Sequence, residues 1–134
     1  MDEYSAERVT TAGVLVKDQK YFIAKRDKGG AIGGLWEFPG GKNRWGETEG
    51  QTLKREYLEE LGLNIEVGEL IHTHDFINKG TLYHLKAYLI FSKDFNDLPL
   101  SVHTEYKWVD KEELALFDFA PSDRKIVETI LGSS

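Results

Sequence analysis

The chain has 134 residues, no cysteine and a formal net charge of −6. That length suits one domain able to bury its own core, and the lack of thiols excludes a disulfide framework or a thiolate metal centre. The acidic balance argues against a groove for a nucleic acid polymer. The polar start Met1-Asp2-Glu3-Tyr4-Ser5 and the lack of a long apolar run argue against a secretory leader or a membrane span, so a cytoplasmic single domain over 1–134 is expected.

Val9 to Lys17 is rich in Val and Thr, and after Asp18-Gln19 comes Tyr21-Phe22-Ile23-Ala24, a hairpin signal. Asp27 to Gly34 reads as a glycine-rich loop, expected to be mobile at the mouth of a site. Gly33-Gly34-Leu35-Trp36-Glu37-Phe38-Pro39-Gly40-Gly41-Lys42 then concentrates glycines, a proline and aromatics into a shaped loop. A helix follows, opened by the capping box Thr48-Glu49-Gly50-Gln51 and closed by Gly62 at its C′ position. Leu53, Tyr57, Leu58 and Leu61 are its expected apolar stripe. Ile65 to Phe76 and Thr81 to Phe91 read as strands joined by Asn78-Lys79-Gly80, with Tyr106 to Val109 as a short one. Asp110-Lys111-Glu112-Glu113 opens a short helix and Ala120-Pro121-Ser122-Asp123 the last one, with Gly132 past its end. Strands with helices outside them imply a layered α/β arrangement.

Within the first helix, Glu56, Glu59 and Glu60 stand at i, i+3 and i+4, on one face at 3.6 residues per turn. Like charges so placed repel by a few tenths of a kcal/mol per pair. A hard divalent cation such as Mg²⁺, which takes oxygen ligands and bridges carboxylates to phosphates, offsets that repulsion. Lys25, Arg26, Lys28, Lys42, Arg44 and Arg55 gather around the glycine loop and this face, which suits a small phosphorylated substrate. His72, His74, His84 and His103 lack metal-ligand spacing and read as strand or loop residues.

Gly41, five residues, Glu47, seven residues, then Arg55-Glu56-Tyr57-Leu58-Glu59-Glu60-Leu61-Gly62-Leu63 resembles the Nudix box, G-x5-E-x7-R-E-U-x-E-E-x-G-U, here residues 41–63. Only Tyr57 departs, where aliphatic residues are commoner. The Trp36 to Lys42 lead-in, Glu105 ahead of Trp108-Val109, and Phe119-Ala120-Pro121-Ser122-Asp123 are similar to the MutT branch. That branch includes nucleoside triphosphate and CTP pyrophosphohydrolases. The resemblance implies the Nudix fold, an α/β/α sandwich around a mixed, partly closed β-sheet. It also implies Mg²⁺-dependent hydrolysis of nucleoside triphosphates, cytosine-type or oxidised among them, to monophosphate and pyrophosphate, with Mn²⁺ able to substitute.

By the same resemblance the Gly40 carbonyl, Glu56, Glu59, Glu60 and Glu105 hold metal. Glu56 activates the attacking water, and Glu47 with Arg55 orients the helix. Arg26 and Lys42 meet phosphates, Phe38 offers a stacking surface, and Asp123 reads the edge of the base. The expected partner is a nucleotide, not a nucleic acid polymer or a membrane, and the protein is expected to be a monomer or homodimer. Two alternatives stay open. One is a Nudix pyrophosphatase for ADP-ribose, a nucleotide sugar or a dinucleoside polyphosphate, although the proline or tyrosine associated with those branches is lacking from Asn78 to Thr81. The other is a catalytically silent nucleotide-binding module, in which box glutamates are usually lost.

Overall fold

The computed structural model describes residues 4–27, 34–92 and 103–132. Most of the glycine-rich loop expected to be mobile, and Gly33 with it, lies outside these residues. The strands are β1 (Ala6–Lys17), β2 (Lys20–Arg26), β3 (Trp36–Glu37), β4 (Ile65–Asn78), β5 (Thr81–Ser92) and β6 (His103–Val109). The helices are α1 (Glu49–Leu61) and α2 (Pro121–Gly132), with a 3-10 turn at Lys111–Leu116. Gly132 therefore belongs to α2 rather than lying beyond it.

Both hairpins close through two-residue turns whose residues have positive φ: Asp18 and Gln19 at 51° and 66°, Lys79 and Gly80 at 50° and 78°. This left-handed geometry matches the twist of the flanking strands. The two hairpins meet through β1 and β5, which run parallel from Ala6↔Thr81 to Leu15↔Ile90. The sheet order is β3-β2-β1-β5-β4 with β6 on the far edge of β2, so the sheet is mixed. It is open, not partly closed: among the described residues β4 pairs only with β5. No helix among them is long and apolar enough to cross a membrane.

Side chains of a strand alternate between faces, and β1 divides the core in this way. Ala12 and Val14 join Ile23, Leu85, Ala87, Ile126, Val127 and Ile130 beneath α2. Leu15 joins Phe22, Ile90, Leu53, Tyr57 and Leu61 beneath α1. The result is helix, sheet, helix. Leu58, expected in the α1 stripe, is 53% exposed. Residues 53, 57 and 61 repeat at i+4, whereas position 58 is rotated about 100° from Tyr57 and leaves the sheet-facing side. Thr52 is the buried neighbour instead.

Candidate active site

The helix that carries the carboxylates is fixed at both ends. Thr48 accepts from Gln51 N while Gln51 reaches back to Thr48 N at 2.8 Å, and Gly62 ends the helix at φ 66°. Tyr57, fully buried, donates its hydroxyl to the Gly13 carbonyl at 2.8 Å, which ties α1 to β1.

The glycine lead-in runs along the edge of β1 that β5 leaves free. Thr11 N donates to the Gly41 carbonyl, Gly13 N to the Pro39 carbonyl and Asn43 N to the Val9 carbonyl, at 2.8, 2.8 and 2.9 Å. A side chain at Gly40 would place its Cβ 2.1 Å from the Thr11 carbonyl oxygen, so only glycine lets the two backbones approach this closely. At Gly41 the obstruction is the Glu56 carboxylate, whose Cδ would lie 2.4 Å away. The loop and the acidic helix face are therefore in van der Waals contact.

Arg55 organises that face. Its Nε and Nη2 donate to Glu47 Oε2 and Oε1 at 2.7 and 3.1 Å, and its Nη1 to Glu56 Oε1 at 2.7 Å and Glu59 Oε2 at 3.5 Å. Nη2 also reaches the Lys42 carbonyl at 3.2 Å. Glu47 accepts from Arg44 N at 2.9 Å and from the Thr52 hydroxyl at 3.0 Å. Arg55 and these bonds hold its carboxyl down at about 2. The expected Glu47–Arg55 pair is thus present, with Thr52 as a third member that its unremarkable place in the helix did not announce.

Glu60 behaves differently. Burial, then the neighbouring charges of Glu37 and Glu56, push its carboxyl up to about 8 against a partial offset from Arg26. Glu37 was not anticipated. It is 8% exposed, accepts from Arg26 Nη1 at 3.3 and 3.4 Å, and lies 2.7 Å from Nε2 of the buried His103. Glu105 is not among the groups acting on Glu60; it is exposed, 3.3 Å from Lys107 Nζ.

Beside this cluster opens a cavity of about 650 Å³. Thr10 and Ala12 of β1, Leu85 of β5 and His74 of β4 contribute to it, as do Glu37, Phe38 and Gly40 to Lys42 and, from α2, Asp123 and Lys125. Phe38 is 3% exposed and stacks on Phe119 at 5.4 Å, so it serves as packed wall. The lead-in's other aromatic, Trp36, is core, edge-on to Phe117. The cavity's other aromatic pair is Phe76 and Tyr83, stacked at 5.2 Å, with Lys42 Nζ 5.5 Å from the Tyr83 ring. Asp123 Oδ1 accepts from Phe38 N at 2.9 Å, and burial with the charge of Glu37 raises its carboxyl to about 8.

Among the described residues, no three carboxylate or imidazole groups converge tightly enough to form a finished metal cage. The donor chemistry nevertheless fits a hard cation. Glu37, Glu56 and Glu60 crowd carboxylates into a largely buried region with the exposed Glu59 beside it, and the burial and charges that raise the Glu60 carboxyl are what a bound cation would counter.

The description "NUDIX domain" fits residues 11–129 of the chain. The chain is 34% identical over 122 residues to the CTP pyrophosphohydrolase of Escherichia coli (strain K12), covering 90% of this chain and 89% of that protein. It is 46% identical over 68 residues to the 8-oxo-dGTP diphosphatase of Proteus vulgaris, covering 48% of this chain and 61% of that one. Among solved structures, the solution structure of the E. coli ORF135 protein superposes with a TM-score of 0.81 at 32% identity, covering 94% of this chain and 89% of that one. With the open mixed sheet between two helices and a complete acidic box held against its glycine loop, these matches establish that the chain belongs to the Nudix family of hydrolases.

Proposed function

We propose that the protein hydrolyses nucleoside triphosphates to nucleoside monophosphate and pyrophosphate with a divalent cation, Mg²⁺ or Mn²⁺, and that it acts on free nucleotides in the cytoplasm. The observation that carries this reading is the shared lead-in: Glu37, Phe38 and Gly40 to Lys42 line the cavity, while Gly41 meets Glu56 and the Lys42 carbonyl meets Arg55. A nucleoside held in the cavity then directs its phosphates at the acidic helix. Relatives named as acting on CTP and on 8-oxo-dGTP support a triphosphate over a nucleotide sugar.

Glu56, Glu59, Glu60 and the Gly40 carbonyl are the groups that would hold the cation. When bound, it polarises a phosphoryl oxygen and eases deprotonation of water. Glu56 takes the proton of the attacking water. Arg55, bonded to Glu47 and Glu56 together, fixes the orientation of that carboxylate. Lys42 and Arg26 neutralise charge developing on the phosphates, since positioning and neutralisation are most of what phosphoryl transfer requires. Phe38 serves by its backbone, which aims Asp123 at the base. Glu105 sits on β6 opposite Lys25 of β2, and Glu37 supplies the additional carboxylate beside Glu60.

Pyrophosphate release measured across a panel of nucleoside triphosphates tests the reading. Turnover should vanish in EDTA and return with Mg²⁺, and Glu56→Gln should lower kcat by about 10²–10⁴-fold with little change in KM. Release of single phosphates, or turnover indifferent to chelation, would overturn it.

A further inference from the structure

The strand β4 places His72, His74 and Phe76 on one face, two residues apart, turned toward α2. Their side chains form a column: His72 and His74 rings lie 5.0 Å apart, His74 and Phe76 5.8 Å, and Phe76 stacks on Tyr83. A hydrogen-bond chain runs through it. Thr129 Oγ1 of α2 is 2.5 Å from His72 Nδ1, and His72 Nε2 is 2.8 Å from His74 Nδ1. The chain ends at His74 Nε2, which is buried and, among the described residues, has no hydrogen-bond partner, although His74 itself lines the cavity. Leaving a buried ring nitrogen unmatched costs free energy that a correctly placed ligand group recovers.

The direction of the chain decides what that ligand group must be. Burial depresses both imidazoles, helped by Lys125 at His72 and by His72 and then Lys125 at His74, with Glu128 opposing at the first and Asp75 at the second, so each ring is neutral near pH 7 and carries one donor and one acceptor nitrogen. Two neutral imidazoles in series must pass their protons the same way. Thr129 Oγ1 and His72 Nδ1 share one proton, and we assign the hydroxyl as its donor. His72 then donates from Nε2 to His74 Nδ1, which leaves the proton of His74 on Nε2.

We propose that His74 is a specificity-determining residue whose Nε2–H donates to an exocyclic carbonyl oxygen on the edge of the nucleobase in this cavity. This rests on the reading that the cavity takes the nucleoside of a triphosphate. It selects keto bases over their amino counterparts: hypoxanthine and adenine differ at one purine position, and uracil and cytosine at one pyrimidine position, by oxygen against amine. An N–H donor satisfies the oxygen and opposes the amine.

The experiment measures kcat/KM for ITP, ATP, UTP and CTP with the wild-type protein, His74→Phe and His74→Gln. Phenylalanine keeps the ring and its contact with Phe76 but removes both nitrogens. The keto-to-amino ratio should fall about tenfold in His74→Phe for at least one pair, and His74→Gln, whose amide retains a donor, should hold it within about threefold of wild type. A merely structural role would lower all four substrates together and leave the ratios unchanged, which would overturn the proposal. A rise in the ratio would overturn it too, because the chain would then run the other way. Should His74→Phe fail to fold, the smaller His74→Leu carries the same readout. Wild-type protein inactive on every triphosphate would defeat the functional reading itself and this proposal with it, whereas active protein with unmoved ratios defeats the proposal alone.

Discussion

Glu60 is protonated near neutrality because burial and the charges of Glu37 and Glu56 disfavour its ionised form. A carboxyl raised from 4.5 to about 8 binds a proton in the folded chain that the unfolded chain has released, so the metal-free protein loses stability as pH rises through that interval. Glu60→Gln should flatten the fall, read as Tm against pH in EDTA, while weakening Mg²⁺ affinity; an unchanged slope would show that Glu60 is not the buried acid. Asp123 carries a similar shift, from 3.8 to about 8, with a different consequence. Below about pH 8 its neutral carboxyl offers an O–H donor, and above it only acceptors. The ranking of GTP against ATP should therefore move toward ATP as pH crosses this value, and Asp123→Asn should abolish the movement. The acidic face, the Glu47–Arg55 pair and the place of Asp123 were legible because a helix period and a short loop fix them locally. Glu37 with His103, and His72 with Thr129, were not: they meet across 66 and 57 positions of sequence, through strand and helix packing that no local pattern encodes.

At the scale of elements, the lead-in and α1 are clamped against β1 by contacts of different tolerance. At Gly40 the obstacle is backbone, the Thr11 carbonyl; at Gly41 it is the movable end of Glu56. Gly40→Ala should cost at least about 2 kcal/mol of stability, as overpacking against an immovable wall does. Gly41→Ala should fold nearly as well as wild type yet lose kcat, because it displaces the carboxylate that accepts the proton. Comparing melting with turnover for the two variants separates the roles, and equal loss of Tm in both would contradict the geometry. Element limits were readable from caps and turns: Thr48, Gly62, Asp18-Gln19 and Lys79-Gly80 all sit where their chemistry predicts. The apolar stripe of α1 was read too widely at Leu58, because hydrophobicity alone does not report which flank of a helix the sheet covers.

Across the whole molecule, the parallel pairing of β1 with β5 joins two hairpins that are distant in sequence, and neither hairpin's own pattern discloses it. The layered class follows from the elements; the open sheet follows from which strands find each other. A surface clamp spans this junction. His84 of β5 lies 2.8 Å from Asp75 of β4 and 3.1 Å from Glu7 of β1, and Glu7 first, then Asp75, raises its pKa. That contribution is full below the ordinary histidine value and is lost as pH rises through the raised one. Glu47 acts in the opposite sense, its contribution being lost as pH falls from 4.5 toward 2. The metal-free protein should thus be most stable near about pH 5, and His84→Gln should lose most at pH 6 and low salt and least at high ionic strength. A Tm maximum above pH 8 would contradict this set of charges.

The seam between the lead-in and β1 also governs how the protein fluctuates. Thr11 and Gly13 donate across it from the central strand, whose other edge pairs with β5, and Gly40 packs against the Thr11 carbonyl, so the lead-in is tied to the middle of the sheet. Amide hydrogens at Thr11 and Gly13 should therefore exchange with solvent only at the rate of global unfolding. The glycine lead-in from Phe38 to Lys42, despite its composition, would then be among the slowest-breathing parts of the chain.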